Sequence, residues 1–331
     1  MQTVDIAILT YKPDKSFFKQ IELLKSQSVK PHRIIIMNTE EKYINNLLYG
    51  KTLGKGGCPV DIYNLSQKEF NHGRTRNAAA GRSDADYLIF MTQDAMPEDE
   101  HLIENLLRPF EDETVAVSYA RQLPADNAGP IERYNRRFNY PGTDMIKSYD
   151  DIPQLGIKTY FCSDVCACYR MDIFRALGGF IDNAIFNEDM VYAHKVVHEG
   201  YKVYYAAAAR VIHSHNYNMI QQFKRNFDLG VSQADHREVF GSVSSESEGK
   251  KLVKGCIDYL ISEKKAYLVP KFVAHCGARL IGYKLGSNYK KLSKKMIWRC
   301  TSNRAYWRHH WDMTNIPADV HAGYGKNAEG L

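Results

Sequence analysis

Residues 86–97 read DYLIFMTQDAMP, and this stretch decides the fold of the chain. A run of apolar residues ends in a polar turn that carries one carboxylate, Asp94. A short apolar run bounded by turn residues is typical of a strand buried in a parallel sheet. Open α/β sheets bind their ligands beyond the carboxyl ends of the strands. Asp94 therefore stands where such a sheet places its ligand.

Strand-like and helix-like segments alternate on both sides of this run. Upstream, the pattern predicts strands at 4–10 (VDIAILT), 32–37 (HRIIIM) and 60–65 (VDIYNL), and helices at 14–27 and 73–85. Downstream, it predicts helices at 97–110, 171–177 and 187–200, and strands at 114–120, 165–169 and 201–213. This alternation with short connections predicts a parallel sheet with right-handed crossovers.

Two regions depart from the alternation. Residues 121–160 are rich in Pro, Gly, Asn and Tyr without a clear period, which is typical of a functional or mobile loop. Its aromatic residues either stack on a ligand or simply pack: Tyr134, Phe138 and Tyr140. From about residue 217 the pattern is mostly helical, and 250–308 is rich in Lys and Arg. That basic surface either attracts an anionic membrane or is the outside of a helical bundle or dimer.

The composition is that of an ordinary globular protein. The 331 residues are 44% hydrophobic and 25% charged, with a net charge of +6, which fits one large α/β domain with an appendage. Seven cysteines without a C-x-x-C pair predict reduced thiols and a cytoplasmic protein. The clustered Cys162, Cys166 and Cys168 either pack around a buried strand or bind a metal. The chain shows no signal peptide and no apolar stretch approaching the ~18 residues that span a membrane.

Polar residues that follow the predicted strands are the candidates for a ligand site. Asp94 either holds a divalent cation or caps a helix that begins near Pro97. His213 and His215 are two residues apart, so in an extended segment both project to one face and can share a metal.

Charged residues at two predicted helix starts are further candidates. Glu188 and Asp189 either take part in catalysis or only stabilise the helix dipole. Arg74 and Arg76 suit a phosphate at a helix N-terminus, or they only make the surface soluble.

Four segments, taken in order, resemble family 2 glycosyltransferases over about the first 215 residues. They are VDIAILTYKP, GRTRNAAAGRSDADYLIFMTQDA, GGFIDNAIFNEDMVYAHKVVHEGYKVYY and AARVIHSH. The resemblance implies an α/β fold of the GT-A type, Rossmann-like, with a mostly parallel central sheet flanked by helices, to which the pattern beyond residue 217 adds a helical, basic C-terminal extension. It implies a catalytic domain at 1–216, with a nucleotide-binding half at about 1–95 and an acceptor-binding half at about 96–216. A mainly helical region at 217–331 follows.

The same resemblance implies a site and a cofactor. Asp189 is expected to be the catalytic base. The residues expected to contact the nucleotide sugar are Thr10, Tyr11, Asn38, Arg74, Arg76, Asn77, Gln93 and Asp94. A divalent metal, Mg²⁺ or Mn²⁺, is expected at Asp94, His213 and His215. Two positions depart from the family pattern: Thr92 replaces the first acid of the Asp-x-Asp motif, and Asn38 stands where the second strand usually ends in acids.

A narrower resemblance is to bacterial rhamnosyltransferases of surface polysaccharide synthesis. It rests on TQDAMP, RQLP, ERYNRRFNYP and HSHNY. It implies dTDP-L-rhamnose as donor and a lipid-linked glycan as acceptor for the expected inverting enzyme, which the basic C-terminal helices would place at the inner face of the cell membrane.

Other functions stay open or are excluded. A UDP-linked donor and a catalytically impaired sugar-nucleotide-binding protein are alternatives, the latter because of Thr92. A dinucleotide-dependent oxidoreductase is excluded because no glycine-rich turn follows the first strand. Tryptophans lie among the basic residues of the C-terminal region, but no nucleic-acid-binding module is present, so no nucleic-acid partner is expected.

Overall fold

The computed structural model describes residues 2–49, 53, 57–241 and 246–313. Its strands are β1 Val4–Tyr11, β2 Arg33–Thr39, β3 Val60–Leu65, β4 Tyr87–Thr92, β5 Met96–Pro97, β6 Val115–Leu123, β7 Met145–Lys147, β8 Cys166–Arg170 and β9 Lys202–Ile212. The helices that precede β9 are α1 Ser16–Lys25, α2 Glu41–Leu48, α3 His72–Ala80, α4 Leu102–Leu107, α5 Pro130–Asn139, α6 Ile152–Leu155, α7 Met171–Ala176 and α8 Glu188–His198. The helices that follow β9 are α9 Met219–Asp235, α10 Arg237–Phe240, α11 Glu246–Ser262, α12 Val269–Ser287, α13 Lys294–Cys300 and α14 Arg304–Met313.

The strands of the described residues form one mixed sheet in the order β3-β2-β1-β4-β8-β6-β9-β5, with β7 also paired to β9. The first four strands in this order are parallel, as the alternation of strands and helices predicts. β8 runs antiparallel between β4 and β6, while β6 and β9 are parallel to each other. The predicted α/β class with a mostly parallel central sheet flanked by helices is confirmed.

The sheet is covered on both faces because successive side chains of a strand point to opposite sides. In β4, Leu88 and Phe90 belong to one buried cluster, whereas Ile89 and Met91 belong to the other. The predicted burial of the cysteines near β8 is also confirmed: Cys162, Cys166 and Cys168 are all buried and free.

One predicted helix begins later than expected. Met96–Pro97 pairs with β9 as a two-residue strand, Met96 opposite Ile212, and α4 begins only at Leu102. Proline is tolerated here because β5 lies at the end of the sheet order, where the missing N–H is not needed. The interpretation of Asp94 as the cap of a helix that starts near Pro97 is therefore wrong.

The stretch 121–160 is more regular than its composition predicts, since it contains α5, β7 and α6. α5 escapes a search for apolar periodicity because its one buried residue is polar, Asn135, and Arg136 and Glu132 form an ion pair beside it. In this stretch a polar helix face turns inward, which hydrophobic patterning cannot detect.

The predicted helical C-terminal region is confirmed as far as Met313, whereas 242–245 and 314–331 lie outside the described residues. α9 and α12 pack closely through three glycines. A Cβ atom on Gly286 would lie 2.0 Å from the Phe227 carbonyl oxygen, and one on Gly282 would lie 2.3 Å from that of Phe223. On α9, a Cβ atom at Gly230 would lie 2.4 Å from the Tyr283 carbonyl oxygen. Among the described residues, no helix combines the length and the apolar character that crossing a membrane requires.

Candidate active site

Polar side chains meet at the carboxyl ends of β1 and β2, as predicted. The register sets Thr10 opposite Asn38, and the Thr10 hydroxyl donates to Asn38 Oδ1 at 3.1 Å. Asn38 Nδ2 in turn donates to Asn64 Oδ1 at 2.7 Å. Gln93 ties the turn after β4 to the end of β1, because it accepts from the Tyr11 N–H at 2.9 Å and donates to the Tyr11 carbonyl at 3.0 Å.

Two contacts fix the turn that carries Asp94: hydrogen bonds from Gln20 and the pairing of β5 with β9. Gln20, which is fully buried on α1, donates from Nε2 to the carbonyls of Thr92 and Ala95, both at 2.7 Å. Pairing of β5 with β9 then sets this turn next to the end of β9. Asp94 keeps 47% of its side chain exposed, so its carboxylate remains accessible to a ligand.

Asp94, His213 and His215 come together as the sequence predicts. Nε2 of His213 lies 3.5 Å from Asp94 Oδ1, and Nε2 of His215 lies 3.4 Å from Asp94 Oδ2. The three ligand atoms lie within 4.8 Å of one another. Burial opposes ionisation of Asp94, but the neighbouring His213 holds the pKa of this carboxyl well below its usual range. Burial, together with the charge of His213, lowers the pKa of His215 to about 4, so its ring is neutral at pH 7.

A hydrogen-bond network orients the ring of His213. Arg136 has only donors, so its bond to Gln122 Oε1 fixes the orientation of that amide. Gln122 Oε1 then accepts from His213 Nδ1 at 2.9 Å, which turns Nε2 toward Asp94. One carboxylate and two imidazoles fit a divalent cation, Mn²⁺ better than Mg²⁺.

Asp94 and Asp189 line one cleft, which has a volume of about 560 Å³. Asp189 lies in the first turn of α8 and is partly buried; its Oδ2 accepts from the Asp164 N–H at 3.2 Å and its Oδ1 from the Met190 N–H at 2.8 Å. Burial raises the pKa of Asp189 well above its usual range, and the charges of Asp164 and Glu188 add to this effect. A carboxylate with a raised pKa, facing a cleft, is a stronger proton acceptor than an ordinary aspartate.

Arg76 balances the acids behind Asp189. It is buried, and its guanidinium lies 2.9 Å from Asp164 Oδ2 and 2.7 Å from Glu188 Oε1. The Tyr169 hydroxyl donates to Asp164 at 2.5 Å. Burial raises the pKa of Asp164 to about 6, although Arg76 opposes this rise. Arg76 therefore lines the cleft with its charge already neutralised by protein groups.

Of the residues expected to contact the nucleotide sugar, Arg76 and Asp94 line this cleft, whereas the strand-end residues Thr10, Tyr11, Asn38 and Gln93 do not, and neither do Arg74 and Asn77. Asn71 caps α3 and accepts from the Arg74 N–H at 3.4 Å, while the Arg74 side chain donates to the Glu69 carbonyl at 3.1 Å. Asn77 donates to the Phe180 carbonyl at 2.8 Å and accepts from the Phe180 N–H at 2.9 Å, which holds α3 to the loop before α8. The structure thus gives both residues partners within the protein instead of a place in the cleft.

Several cleft residues were not singled out from the sequence. Gln122 lies in RQLP and Arg136 in ERYNRRFNYP, two segments that resemble rhamnosyltransferases, but neither side chain has a recognisable signature alone. Asp164 is a single acid before β8, and Arg225 and Arg279 belong to helices whose basic residues are mostly exposed. Only the tertiary fold brings these residues together.

The sheet has the topology of the GT-A fold, and one cleft is lined both by the cluster of Asp94, His213 and His215 and by the partly buried Asp189. The sequence model of glycosyl transferase family 2 matches residues 8–178, and the chain belongs to that family.

Related proteins extend this match over most of the chain. The chain is 35% identical over 308 residues to the O-antigen chain rhamnosyltransferase RfbN of Salmonella typhimurium (strain LT2), covering 92% of this chain and 96% of that protein. It is 34% identical over 321 residues to the O-antigen chain rhamnosyltransferase WbaN of Salmonella anatum, covering 93% and 96%. Among solved structures, the mannosyltransferase PcManGT of Pyrobaculum calidifontis, in complex with GDP-Man and Mn²⁺, shares the fold. Its TM-score is 0.53 at 13% identity, covering 93% of this chain and 87% of that one.

Proposed function

We propose that this protein is an inverting, metal-dependent glycosyltransferase that moves L-rhamnose from dTDP-L-rhamnose to a hydroxyl of a lipid-linked or polysaccharide acceptor. The observation that carries the reaction is that Asp94 and Asp189 line one cleft. The choice of rhamnose rests on the similarity to two O-antigen rhamnosyltransferases over more than nine-tenths of the chain.

The metal is proposed to lie at Asp94, His213 and His215. Once bound, a divalent cation neutralises the charge that develops on the diphosphate leaving group. Two features of the chain support this site: the half-exposed carboxylate of Asp94 and the Nε2 atom of His213, which the bond from Nδ1 to Gln122 turns toward that carboxylate. The imidazoles compensate for Thr92, the position at which the family usually has its first acid.

Asp189 is proposed to be the base. It accepts the proton of the acceptor hydroxyl while that oxygen attacks the anomeric carbon from the side opposite the diphosphate, so the configuration inverts. The bond from the Asp164 N–H orients one carboxylate oxygen, and Arg76 limits the repulsion from Asp164 and Glu188. Arg76 thus acts through other residues as a positioning group rather than as a ligand of the donor phosphates.

The nucleotide is proposed to bind at the ends of β1 and β2, near Thr10, Asn38 and Gln93. Tyr11 is 39% exposed there and packs edge-on against Tyr43, with ring centroids 5.6 Å apart. An exposed ring next to amide groups suits stacking on a base and hydrogen bonding to it. Arg74 and Asn77 are assigned to holding α3 in place, because both are occupied by protein partners.

The outer face of α12 is proposed to contact the inner leaflet of the cell membrane. We define this face by its exposed residues Val273, Leu280 and Ile281, which are 50%, 54% and 57% exposed, and by the exposed Lys284. Apolar side chains beside a lysine suit the interface of an anionic membrane. Such contact would present a lipid-linked acceptor to the cleft.

The experiment that tests the reaction is Asp189→Asn. Loss of a positioned base lowers turnover by about 10²–10⁴-fold, whereas the affinity for dTDP-L-rhamnose with Mn²⁺ stays within twofold of wild type. Turnover is measured as dTDP release and donor affinity by calorimetry, with Asp258→Asn, an exposed acid on α11, as the matched control. Equal losses of donor affinity and turnover would reassign Asp189 to a structural or metal-binding role.

Thermal shift separates the proposed donor from the alternatives. A ligand that binds only the native state raises its apparent stability. We expect dTDP-sugars with Mn²⁺ to raise the Tm more than UDP-sugars do. The reverse order would indicate a UDP-linked donor, and binding without dTDP release would indicate an inactive sugar-nucleotide-binding protein.

A further inference from the structure

Two arginines of the C-terminal helices enter the cleft without an ion-pair partner. Arg225 comes from α9 and Arg279 from α12, and both line the cleft together with Asp94 and Asp189. The other cleft arginines are neutralised: Arg76 as described above, and Arg136 by Glu132 at 2.7 Å. Among the described residues, no carboxylate lies within ion-pair distance of Arg225 or Arg279. The cleft therefore holds two guanidinium charges that the proposed reaction has not yet used.

Aromatic rings hold Arg225 in place. Its guanidinium carbon lies 4.6 Å from the centroid of the Phe186 ring and 5.7 Å from that of Tyr217. Both rings also line the cleft. Cation–π contact orients the plane of a guanidinium and leaves the N–H groups at its edge free to donate.

A single hydrogen bond fixes Arg279. Its Nε donates to Gln222 Oε1 at 3.0 Å, and Gln222 lies one helical turn before Asn226 on α9. The terminal nitrogens of Arg279 then retain four N–H donors. Burial lowers the pKa of Arg279; Cys276 and Glu132 oppose this lowering, and the charge of Arg225 adds to it. Two like charges that line one cleft disfavour each other, and an anion bound between them removes that repulsion.

We propose that Arg225 and Arg279 form a subsite for a diphosphate group. Guanidinium forks bind phosphate oxygens through paired N–H donors, and two forks match the two phosphoryl groups. The choice of a diphosphate rests on the proposed function, in which both the nucleotide-sugar donor and a lipid-linked acceptor carry this group. The subsite belongs to the helical C-terminal region, which thereby supplies part of the substrate site.

Metal-free titration with inorganic pyrophosphate isolates this subsite from the Asp94 cluster. With a chelator present, Arg225→Gln and Arg279→Gln should each raise the pyrophosphate Kd by about tenfold or more, the effect of losing hydrogen bonds between charged groups. The matched control is Arg237→Gln, which removes an exposed arginine on α10 and should leave the Kd within twofold of wild type. Affinities of both cleft variants that equal wild type would overturn the proposal.

Two further titrations identify the source of the diphosphate. If dTDP with Mn²⁺ binds the variants more weakly while a polyprenyl diphosphate in micelles binds normally, the subsite serves the donor. If only the polyprenyl diphosphate is weakened, it serves the acceptor. Arg279→Lys keeps the charge but removes the fork, so it should show an intermediate Kd even if a glutamine variant folds poorly. None of these measurements requires sugar transfer, so failure of the proposed reaction would leave their outcome unaffected.

Discussion

At the scale of single residues, Gln122 shows how a neutral amide can orient a proposed metal ligand, His213. It accepts from His213 and from Arg136 through one oxygen, while its nitrogen donates to the Tyr140 hydroxyl at 2.6 Å and the Ser163 hydroxyl at 2.9 Å. Every hydrogen-bonding group of the amide is thus used. The orientation of His213 is therefore built into the fold before any cation binds.

Gln122→Leu should weaken Mn²⁺ binding by about 10–100-fold, the usual effect of removing a partner that orients a metal ligand. Gln122→Glu keeps an acceptor for both His213 and Arg136 and should restore the affinity. Mn²⁺ binding is measured by electron paramagnetic resonance in the absence of donor. Gln67→Leu, at an exposed position, is the control, and an affinity for Mn²⁺ that is the same in all four proteins would contradict this role.

Lys147 is a buried cation without a carboxylate partner among the described residues. Its Nζ donates to the Tyr119 hydroxyl at 3.1 Å and to the Phe161 carbonyl, and it lies 4.6 Å from the centroid of the Tyr119 ring. Burial lowers the pKa of Lys147 from 10.5 to about 7, which the nearby Cys162 only partly opposes.

This pKa makes stability depend on pH in a defined window. Between about pH 7 and 10.5 the unfolded chain binds a proton at Lys147 that the native chain does not, so the free energy of unfolding rises with pH. The free energy of unfolding of wild type minus that of Lys147→Met should therefore rise by up to about 1.4 kcal/mol per pH unit there, because only the wild-type chain carries this proton. Urea unfolding at several pH values measures it. A difference that is constant from pH 7 to 10 would show that Lys147 stays charged in the native state.

At the scale of elements, the contact of α9 with α12 determines where Arg225 and Arg279 meet. Gly286→Ala forces a methyl group into the Phe227 carbonyl and should cost about 1–3 kcal/mol of stability. Gly277→Ala on the same helix meets nothing within 4 Å and should instead stabilise by about 0.5–1 kcal/mol, because alanine favours helix. Urea denaturation of both variants measures the two changes in the free energy of unfolding, which should be opposite in sign. If both substitutions changed it in the same direction, the close packing of α9 against α12 would be wrong.

Elements that bury apolar residues were predictable from the sequence, and those that bury polar ones were not. β4 is recognisable because Leu88, Phe90 and their neighbours form an unbroken apolar run, and that run leads directly to Asp94. α5 was missed because Asn135 and the Arg136–Glu132 pair form its inward side. The antiparallel position of β8 was also hidden, since pairing direction depends on the path of the chain and not on local composition.

The same distinction applies to the site. Asp94, His213 and His215 follow strands, so their proximity could be predicted from the rule that strand ends meet at one edge of the sheet. Asp164 and Arg279 reach the cleft from a loop and a distant helix, and no local pattern relates them to it. Arg74 and Asn77 match the family pattern, yet their side chains bond to neighbouring segments that only the folded structure brings within reach.

At the scale of the whole molecule, the outer face of α12 is the surface proposed to meet a membrane. The double substitution Leu280→Glu/Ile281→Glu should abolish co-sedimentation with anionic vesicles, because it removes buried apolar area and adds repulsion, while Lys284 contributes about 1 kcal/mol to attraction. Tyr49→Glu, at a side chain that is 89% exposed on the opposite half of the chain, is the control.

Two outcomes decide this prediction. Wild type and Tyr49→Glu should partition into anionic vesicles and only weakly into neutral ones, with transfer to a water-soluble acceptor unchanged in the double variant. Equal partitioning of all three proteins would exclude the face as a membrane contact. A wild-type dimer in analytical ultracentrifugation that the double substitution dissociates would assign the face to self-association instead.

The two-residue strand β5 has a consequence for how this enzyme can vary. Met96 pairs with Ile212, and the chain reaches Asp94 two residues before the first of these and His213 one residue after the second. The distance between the Asp94 carboxylate and the His213 imidazole therefore depends on how many residues separate each of them from the Met96–Ile212 pair. Insertions and deletions are tolerated in most loops, but a single added residue on either side of this ladder would turn the Asp94 carboxylate away from the His213 imidazole. Length variation in descendants of this chain should therefore avoid both short intervals.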